Sequence, residues 1–104
     1  MKIYNKLTDT LEEIGSKRND KIRIYVCGIT VYDDCHIGHA RTIVVFDVLR
    51  RYLTHKGHNL IYVQNFTDVD DKIINRAKVE GKTAEEISSK YTMSYFDDFA
   101  KLNV

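Results

Sequence analysis

One short stretch of the sequence concentrates the residue types that could do chemistry. The thiol of Cys27 is followed by Gly28, and two histidines, His36 and His39, flank Gly38, all within thirteen residues. A thiolate is a soft metal ligand or a nucleophile, and imidazoles can stabilise charge that develops on a phosphate group. The combination indicates a nucleotide site with a soft ligand beside it.

The motif formed by His36, Gly38 and His39 is weak when it is taken alone, because surface histidines could produce it. At the start of a helix it would mean more, since unsatisfied backbone N–H groups and the helix dipole favour anions there. A glycine at position 38 would let a nucleotide approach the backbone closely. A preceding strand and a following helix would therefore make the motif a strong prediction of a phosphate site.

The residues alone leave three interpretations of Cys27 open. A cysteine at the end of a buried strand is most often a small core hydrophobe, and this interpretation is favoured. A nucleophile needs a neighbouring base, and none is indicated. A zinc thiolate needs three more protein ligands, or two plus a substrate, and Cys35, His36 and His39 do not have a standard zinc spacing.

A third polar run, residues 65–72, carries three aspartates. Asp70 and Asp71 are expected at a helix N-terminus, where carboxylates complement the dipole. Thr67 and Asp68 lie nearer the end of the preceding strand. They are the better candidates for holding a substrate ammonium group or a ribose.

Apolar periodicity predicts the elements that position these motifs. Alternation predicts a strand over residues 21–27 and a second strand over 60–65. Between them, apolar residues recur at helical spacing from Ile43 to Leu53, and Gly57 is a suitable stop. Strand, helix and strand at this spacing form a parallel βαβ unit, whose ligands bind at the carboxyl edge of the sheet. Both polar motifs should therefore meet at that edge.

The rest of the chain is predicted to be mostly helical, which gives an α/β fold class with a parallel βαβ core and C-terminal helices. One helix is expected over 70–80, ending at Gly81. A capping box at 83–86 opens another helix that continues through Phe99. Residues 3–7 suggest a short strand or an arm.

Composition excludes some classes of function. The 104 residues fit one domain, and a formal net charge of +1 gives no whole-chain electrostatic case for binding nucleic acid or a membrane surface. The basic residues Arg50, Arg51 and Lys56 are expected to form a solvated helix face rather than an RNA-binding patch. No leader peptide and no membrane span are predicted. With only two cysteines and no disulfide framework, the thiols are expected to be reduced and the protein cytoplasmic.

Three linked motifs, residues 25–33, 36–42 and 65–73, resemble those of bacterial cysteinyl-tRNA synthetases, and residues 2–8 resemble the amino terminus of that family. The resemblance is collinear over essentially the whole chain. It implies that residues 1–104 are the first half of a class I Rossmann-type catalytic domain, with the remainder of the enzyme absent from this sequence. It also implies that the parent enzyme activates cysteine with ATP to cysteinyl-adenylate and transfers the cysteine to tRNA.

The resemblance also implies roles for individual residues. Cys27 would be one ligand of a Zn²⁺ ion that binds the substrate thiolate, which displaces the core interpretation. His36 and His39 would be catalytic, serving the phosphates of ATP, supplied with Mg²⁺, and the adenylation transition state. The other implied contacts are Gly38 and Thr30 for ATP, and Gly28, Thr30, Thr67 and Asp68 for the cysteine and adenylate pocket.

Two departures from the family pattern matter. Ile29 stands where proline is frequent, although isoleucine also occurs there. The family's other zinc ligands and its Lys-Met-Ser-Lys-Ser loop would lie beyond position 104, so this chain alone is expected to be inactive. Half of a Rossmann sheet would also expose an edge and an apolar face, which predicts poor stability or self-association.

Three other functions remain open at this point. A related ligase that joins cysteine to a glucosaminyl-inositol resembles the same motifs, although residues 40–42 and 71–74 fit the synthetase better. A general nucleotidyltransferase would leave Cys27 unexplained. A non-catalytic paralogue could keep the half-site and bind only a nucleotide or a partner.

Overall fold

A computed structural model of the chain describes residues 1–14 and 21–104. It contains, in chain order, β1 (Lys2–Asn5), β2 (Thr10–Glu13), β3 (Lys21–Val26), α1 (Ile37–His55), β4 (Asn59–Gln64), α2 (Asp71–Glu80) and α3 (Ala84–Lys101). The predicted α/β class, with its βαβ core and C-terminal helices, is confirmed. Apart from β2, which was not predicted, the strands and helices fall within a few residues of the predicted bounds.

Strands β1 and β2 form an antiparallel hairpin in which Lys2 lies opposite Glu13. The sequence indicated β1 only as a short strand or an arm, and it gave no signal for β2. All four residues of β2 are exposed, so its side chains do not alternate between a buried and a solvated face.

Strands β3 and β4 are parallel, with Lys21 opposite Asn59 and Val26 opposite Gln64. Helix α1 connects them, as expected for two parallel strands that are consecutive in the sheet. Because the two strands end level with each other, the loops that follow them leave the sheet at the same edge.

The two core clusters lie directly beneath those loops. Val31, which follows β3, is fully buried with residues of α2 and α3, including Ile73 and Tyr91. Ile29 and Phe66 pack against this cluster and also against a second one formed by Ile43, Tyr95 and Phe99. The loops at the carboxyl edge are therefore seated on packed side chains.

Helix α1 buries a carboxylate that the periodicity did not predict. Asp47 is only 7% exposed, and its oxygens accept hydrogen bonds from Arg50 Nε at 3.1 Å and Arg51 Nε at 2.6 Å. Burial raises the pKa of Asp47, but the two arginines outweigh this effect and leave it below its ordinary value. Arg51 also donates to the carbonyl of Asn103. Arg51 thus joins α1 to the residues after α3, and both arginine side chains stay partly exposed, as expected for a solvated helix face.

Within the described ranges, no helix is both long enough and apolar enough to cross a membrane.

Candidate active site

The loops that follow β3 and β4 are hydrogen-bonded to each other beyond the ends of the strands. Thr30 and Thr67 form a parallel bridge. The N–H of Val31 donates to the Thr67 carbonyl at 3.3 Å, and the N–H of Thr67 donates to the Ile29 carbonyl at 2.9 Å. Two residues that were expected to share one pocket, Thr30 and Thr67, therefore lie side by side.

Gly28 lies where the two strand ends come closest. A Cβ atom at this position would overlap the main-chain carbonyl of Asn65, so only glycine fits without a backbone shift. The N–H of Gly28 donates to Asn65 Oδ1 at 2.9 Å. The sequence predicted Gly28 as a site residue, but it gave no periodic or motif-based signal for the Asn65 contact.

Cys27 is exposed, so its interpretation as a core residue is wrong. Strand β3 ends at Val26, which is buried, and Cys27 is the first residue beyond it at the carboxyl edge. The other thiol, Cys35, is half-buried, and burial, followed by the charges of Asp98 and Asp34, raises its pKa. Cys27 is therefore the more accessible thiol.

The donor set for a metal ion is incomplete in this part of the chain. Across residues 1–14 and 21–104, no group of three His, Cys, Asp or Glu side chains could hold a metal ion. Zinc sites in proteins take three or four protein ligands. The described residues therefore offer Cys27 as a single thiolate and do not form a zinc site by themselves.

His36 and His39 cap the N-terminus of α1 reciprocally. Nδ1 of His36 accepts from the Gly38 N–H at 3.0 Å, and Nδ1 of His39 accepts from the His36 N–H at 3.3 Å. The rings stack with their centroids 3.8 Å apart. A ring nitrogen that accepts a hydrogen bond carries no proton, so this geometry suits the Nε2–H tautomer of each ring. That assignment leaves one N–H donor on each ring for another partner.

The surroundings of His39 favour the neutral form of that ring. Burial, followed by the charge of His36, lowers the pKa of His39 below its ordinary value. A Cβ atom at Gly38 would press against the His36 ring, 2.8 Å from its Cε1. Gly38 therefore makes room for the histidine cap, whereas close approach of a nucleotide there stays a prediction.

The three aspartates of residues 65–72 lie in two different places: two are at the start of α2, as the sequence indicated, and one precedes that helix. Asp70 caps α2 by accepting from the Lys72 N–H at 2.8 Å, and Asp71 lies in the first turn of that helix. Asp68 is exposed instead and borders a cavity of about 480 Å³. The other residues that line this cavity are Phe66, Ser88, Ser89, Thr92 and Met93.

The segment between β3 and α1 is anchored to both C-terminal helices. Asp34 accepts from Ser94 Oγ at 2.9 Å, and Asp33 pairs with Arg76 at 3.6 Å. Arg76 is itself held by Glu80 at 2.6 Å. Lys82 and then Arg76 lower the pKa of that carboxyl to about 2. These contacts, which the sequence did not predict, fix the segment that leads into the histidine pair.

The sequence of the chain is similar to those of known proteins. Residues 13–104 match the sequence profile of the family described as tRNA synthetases class I (C) catalytic domain. A cysteine–tRNA ligase of Thermodesulfovibrio yellowstonii is 54% identical over 104 residues, which are 100% of this chain and 21% of that protein. Proteins of the same name from Rippkaea orientalis and Caldicellulosiruptor saccharolyticus are each 53% identical, over 98% and 100% of this chain and 21% and 22% of their own lengths. The chain spans about one fifth of the length of these relatives.

Proposed function

We propose a function from one premise: this chain belongs to the class I tRNA synthetase (C) catalytic domain family. In this proposal residues 1–104 are the amino-terminal half of the catalytic domain of an enzyme that joins cysteine to tRNA. The carboxylate of cysteine attacks the α-phosphorus of ATP, which forms cysteinyl-adenylate and releases pyrophosphate. A hydroxyl of the terminal adenosine of tRNA then takes the cysteinyl group, and AMP leaves.

The main support for this function is the arrangement of two loops and one helix start. The loops after β3 and β4 are hydrogen-bonded side by side at the carboxyl edge of a parallel sheet, and α1, which follows the first loop, opens with two stacked histidines. Ligands of open α/β sheets bind at this edge, and anions bind at helix N-termini. The arrangement suits a nucleotide whose phosphates lie over α1 and whose amino-acid partner lies between the loops.

The histidine pair would act on ATP, supplied as its Mg²⁺ complex. The Nε2–H groups of His36 and His39 are the donors that the reciprocal cap leaves free. Bonded to oxygens of the α-phosphate, they would stabilise the charge that develops when the carboxylate attacks phosphorus. Gly38 completes this phosphate site in the proposal, and Thr30 contributes to the nucleotide side of the pocket.

The cysteine would bind across the paired loops. Gly28, Thr30 and Thr67 line the pocket in this proposal, and the carboxylate of Asp68 pairs with the substrate ammonium group. The Thr30–Thr67 bridge supports the assignment, because it holds residues from both loops in one place.

We propose that the complete enzyme binds a zinc ion. Cys27 would supply one thiolate, and the other ligands would come from the rest of the polypeptide, since the described residues offer no cluster of three donors. When bound, the soft metal would distinguish the thiol of cysteine from the hydroxyl of serine.

We further propose that the enzyme works in the cytoplasm, where ATP and tRNA are available and thiols stay reduced.

Apolar side chains that are exposed on α1 and β4, including Val45, Val48 and Val63, support self-association of the chain when it is produced alone.

Cysteine-dependent exchange of labelled pyrophosphate into ATP tests the proposed function. The complete polypeptide that contains this chain is expected to catalyse exchange with cysteine and not with serine. Residues 1–104 alone are expected to catalyse none, because only part of the site is present. Exchange with neither amino acid would favour a non-catalytic paralogue and would refute the proposal.

A further inference from the structure

The side chain of Asn65 connects the ends of the two parallel strands. Asn65 is the first residue after β4, and its Oδ1 accepts two hydrogen bonds from the β3 side. One comes from the Gly28 N–H at 2.9 Å, and the other comes from the Tyr25 hydroxyl at 2.8 Å. The side-chain oxygen thus holds a main-chain group of the neighbouring loop.

The main chain of Asn65 restrains the same loop by contact. Its carbonyl occupies the space that a side chain at Gly28 would need. Two residues further along each loop, Thr30 and Thr67 form their bridge. Asn65 therefore lies where the relative placement of the two loops is set, immediately before the residues that line the proposed pocket.

We propose that Asn65 is a positioning residue for the amino-acid pocket. By fixing the main chain at Gly28, it holds Cys27 and Thr30 in place relative to Thr67. This inference rests on the proposed function, because the pocket is taken to bind cysteine. Asn65 acts through Gly28 in this scheme and does not itself touch the substrate.

Steady-state pyrophosphate exchange by the complete polypeptide separates this role from a structural one. Asn65→Ala leaves the half-buried Gly28 N–H without its acceptor, and we expect KM for cysteine to rise about 10-fold. The KM for ATP is expected to rise by a clearly smaller factor, because Thr30 also borders the nucleotide in the proposed site but the histidine cap does not contact Asn65. Asn65→Asp keeps an acceptor oxygen and is expected to recover most of the lost affinity for cysteine. Tyr25→Phe removes only the second donor and is the matched control, with native KM values expected.

Each outcome decides the proposal. Unchanged KM for cysteine in Asn65→Ala, or an equal rise in both KM values, overturns it. If Asn65→Ala does not fold, Asn65→Ser takes its place, since the serine oxygen lies too close to its backbone to reach the Gly28 N–H. The same cysteine-specific rise is expected for that variant. Failure of both variants to fold, with Asn65→Asp stable, would assign Asn65 to the fold alone and also overturn the proposal.

The failure of this inference can be told from the failure of the proposed function. A native polypeptide that shows no cysteine-dependent exchange refutes the function and the pocket together. A native polypeptide that is active, with Asn65→Ala matching it in both KM values, refutes only the role of Asn65.

Discussion

His36 is the N-cap residue of α1, where most helices use serine, threonine, aspartate or asparagine, and His39 takes the N3 position, where a capping box uses glutamate or glutamine. The motif could be placed at a helix start from the sequence, because a strand precedes it and an apolar periodicity follows it. The reciprocal cap could not be predicted, since it depends on the rotamers of both rings. One pair of side chains thus stabilises the helix start and also presents two N–H donors.

Substitution at His36 can separate these two roles. His36→Ala removes the cap and is expected to lower the free energy of unfolding by about 1 kcal/mol. His36→Asn keeps a good capping residue, so its stability should stay near the native value. Both variants lose the Nε2 donor, and each is expected to lower kcat for pyrophosphate exchange by about 100-fold or more. A native kcat in His36→Asn would show that His36 only caps the helix.

The protonation of His39 should make stability depend on pH. Its pKa lies below the ordinary value of 6.5, so the unfolded chain binds the proton more readily than the folded chain does. The stability that the neutral ring contributes is therefore present above about pH 6.5 and is lost as the pH falls through the lower, folded-state pKa. Protonation of Nδ1 also removes the acceptor for the His36 N–H.

An NMR titration of His39, together with thermal unfolding between about pH 7.5 and pH 5, checks this sign. His39→Gln is the matched control, because glutamine can accept the same hydrogen bond without titrating. The native chain is expected to lose more stability than this variant as the pH falls. A measured pKa at or above 6.5 for His39 would contradict the account.

At the scale of elements, the site depends on how β3 and β4 end. The parallel pair and its crossover helix could be predicted, because apolar alternation and helical spacing are strong signals and parallel strands end at one edge. The Asn65 contact could not, since an asparagine that follows a strand is compatible with many loop conformations. The exposure of Cys27 was not predicted, although the alternation of β3 indicates it: Cys27 falls on the same face as Arg23 and Tyr25, and both of those residues are exposed.

Two glycine substitutions compare the cost of a steric overlap, at Gly28, with the cost of a left-handed backbone conformation, at Gly81. Gly28→Ala forces a methyl group against the Asn65 carbonyl, and it is expected to destabilise the chain by about 3 kcal/mol. Gly81→Ala meets no neighbouring atom within 4 Å, but it must adopt the left-handed φ of 66° at the end of α2, which costs about 1 kcal/mol. Denaturant unfolding measures both values. A loss for Gly28→Ala no larger than that for Gly81→Ala would show that the strand ends separate at little cost.

At the scale of the molecule, the described residues leave apolar side chains exposed on the sheet and on α1. The sheet has only two parallel strands in the described part of the chain, whereas parallel sheets are normally covered on both faces. Tyr25 and Val63 on the sheet are 66% and 49% exposed, and Val48 on α1 is 60% exposed. These surfaces and the incomplete metal donor set both fit a chain that spans one fifth of its relatives.

Transfer of labelled cysteine to tRNA is the decisive measurement of whether the complete polypeptide joins cysteine to tRNA with the help of Cys27. The native polypeptide is compared with the Cys27→Ser variant, and cysteinyl-tRNA is expected from the native polypeptide. A loss of about 100-fold or more is expected in a folded Cys27→Ser variant, since a hydroxyl is a poor substitute for a thiolate ligand. Native activity in that variant, or cysteine transferred to a glucosaminyl-inositol rather than to tRNA, would contradict these expectations.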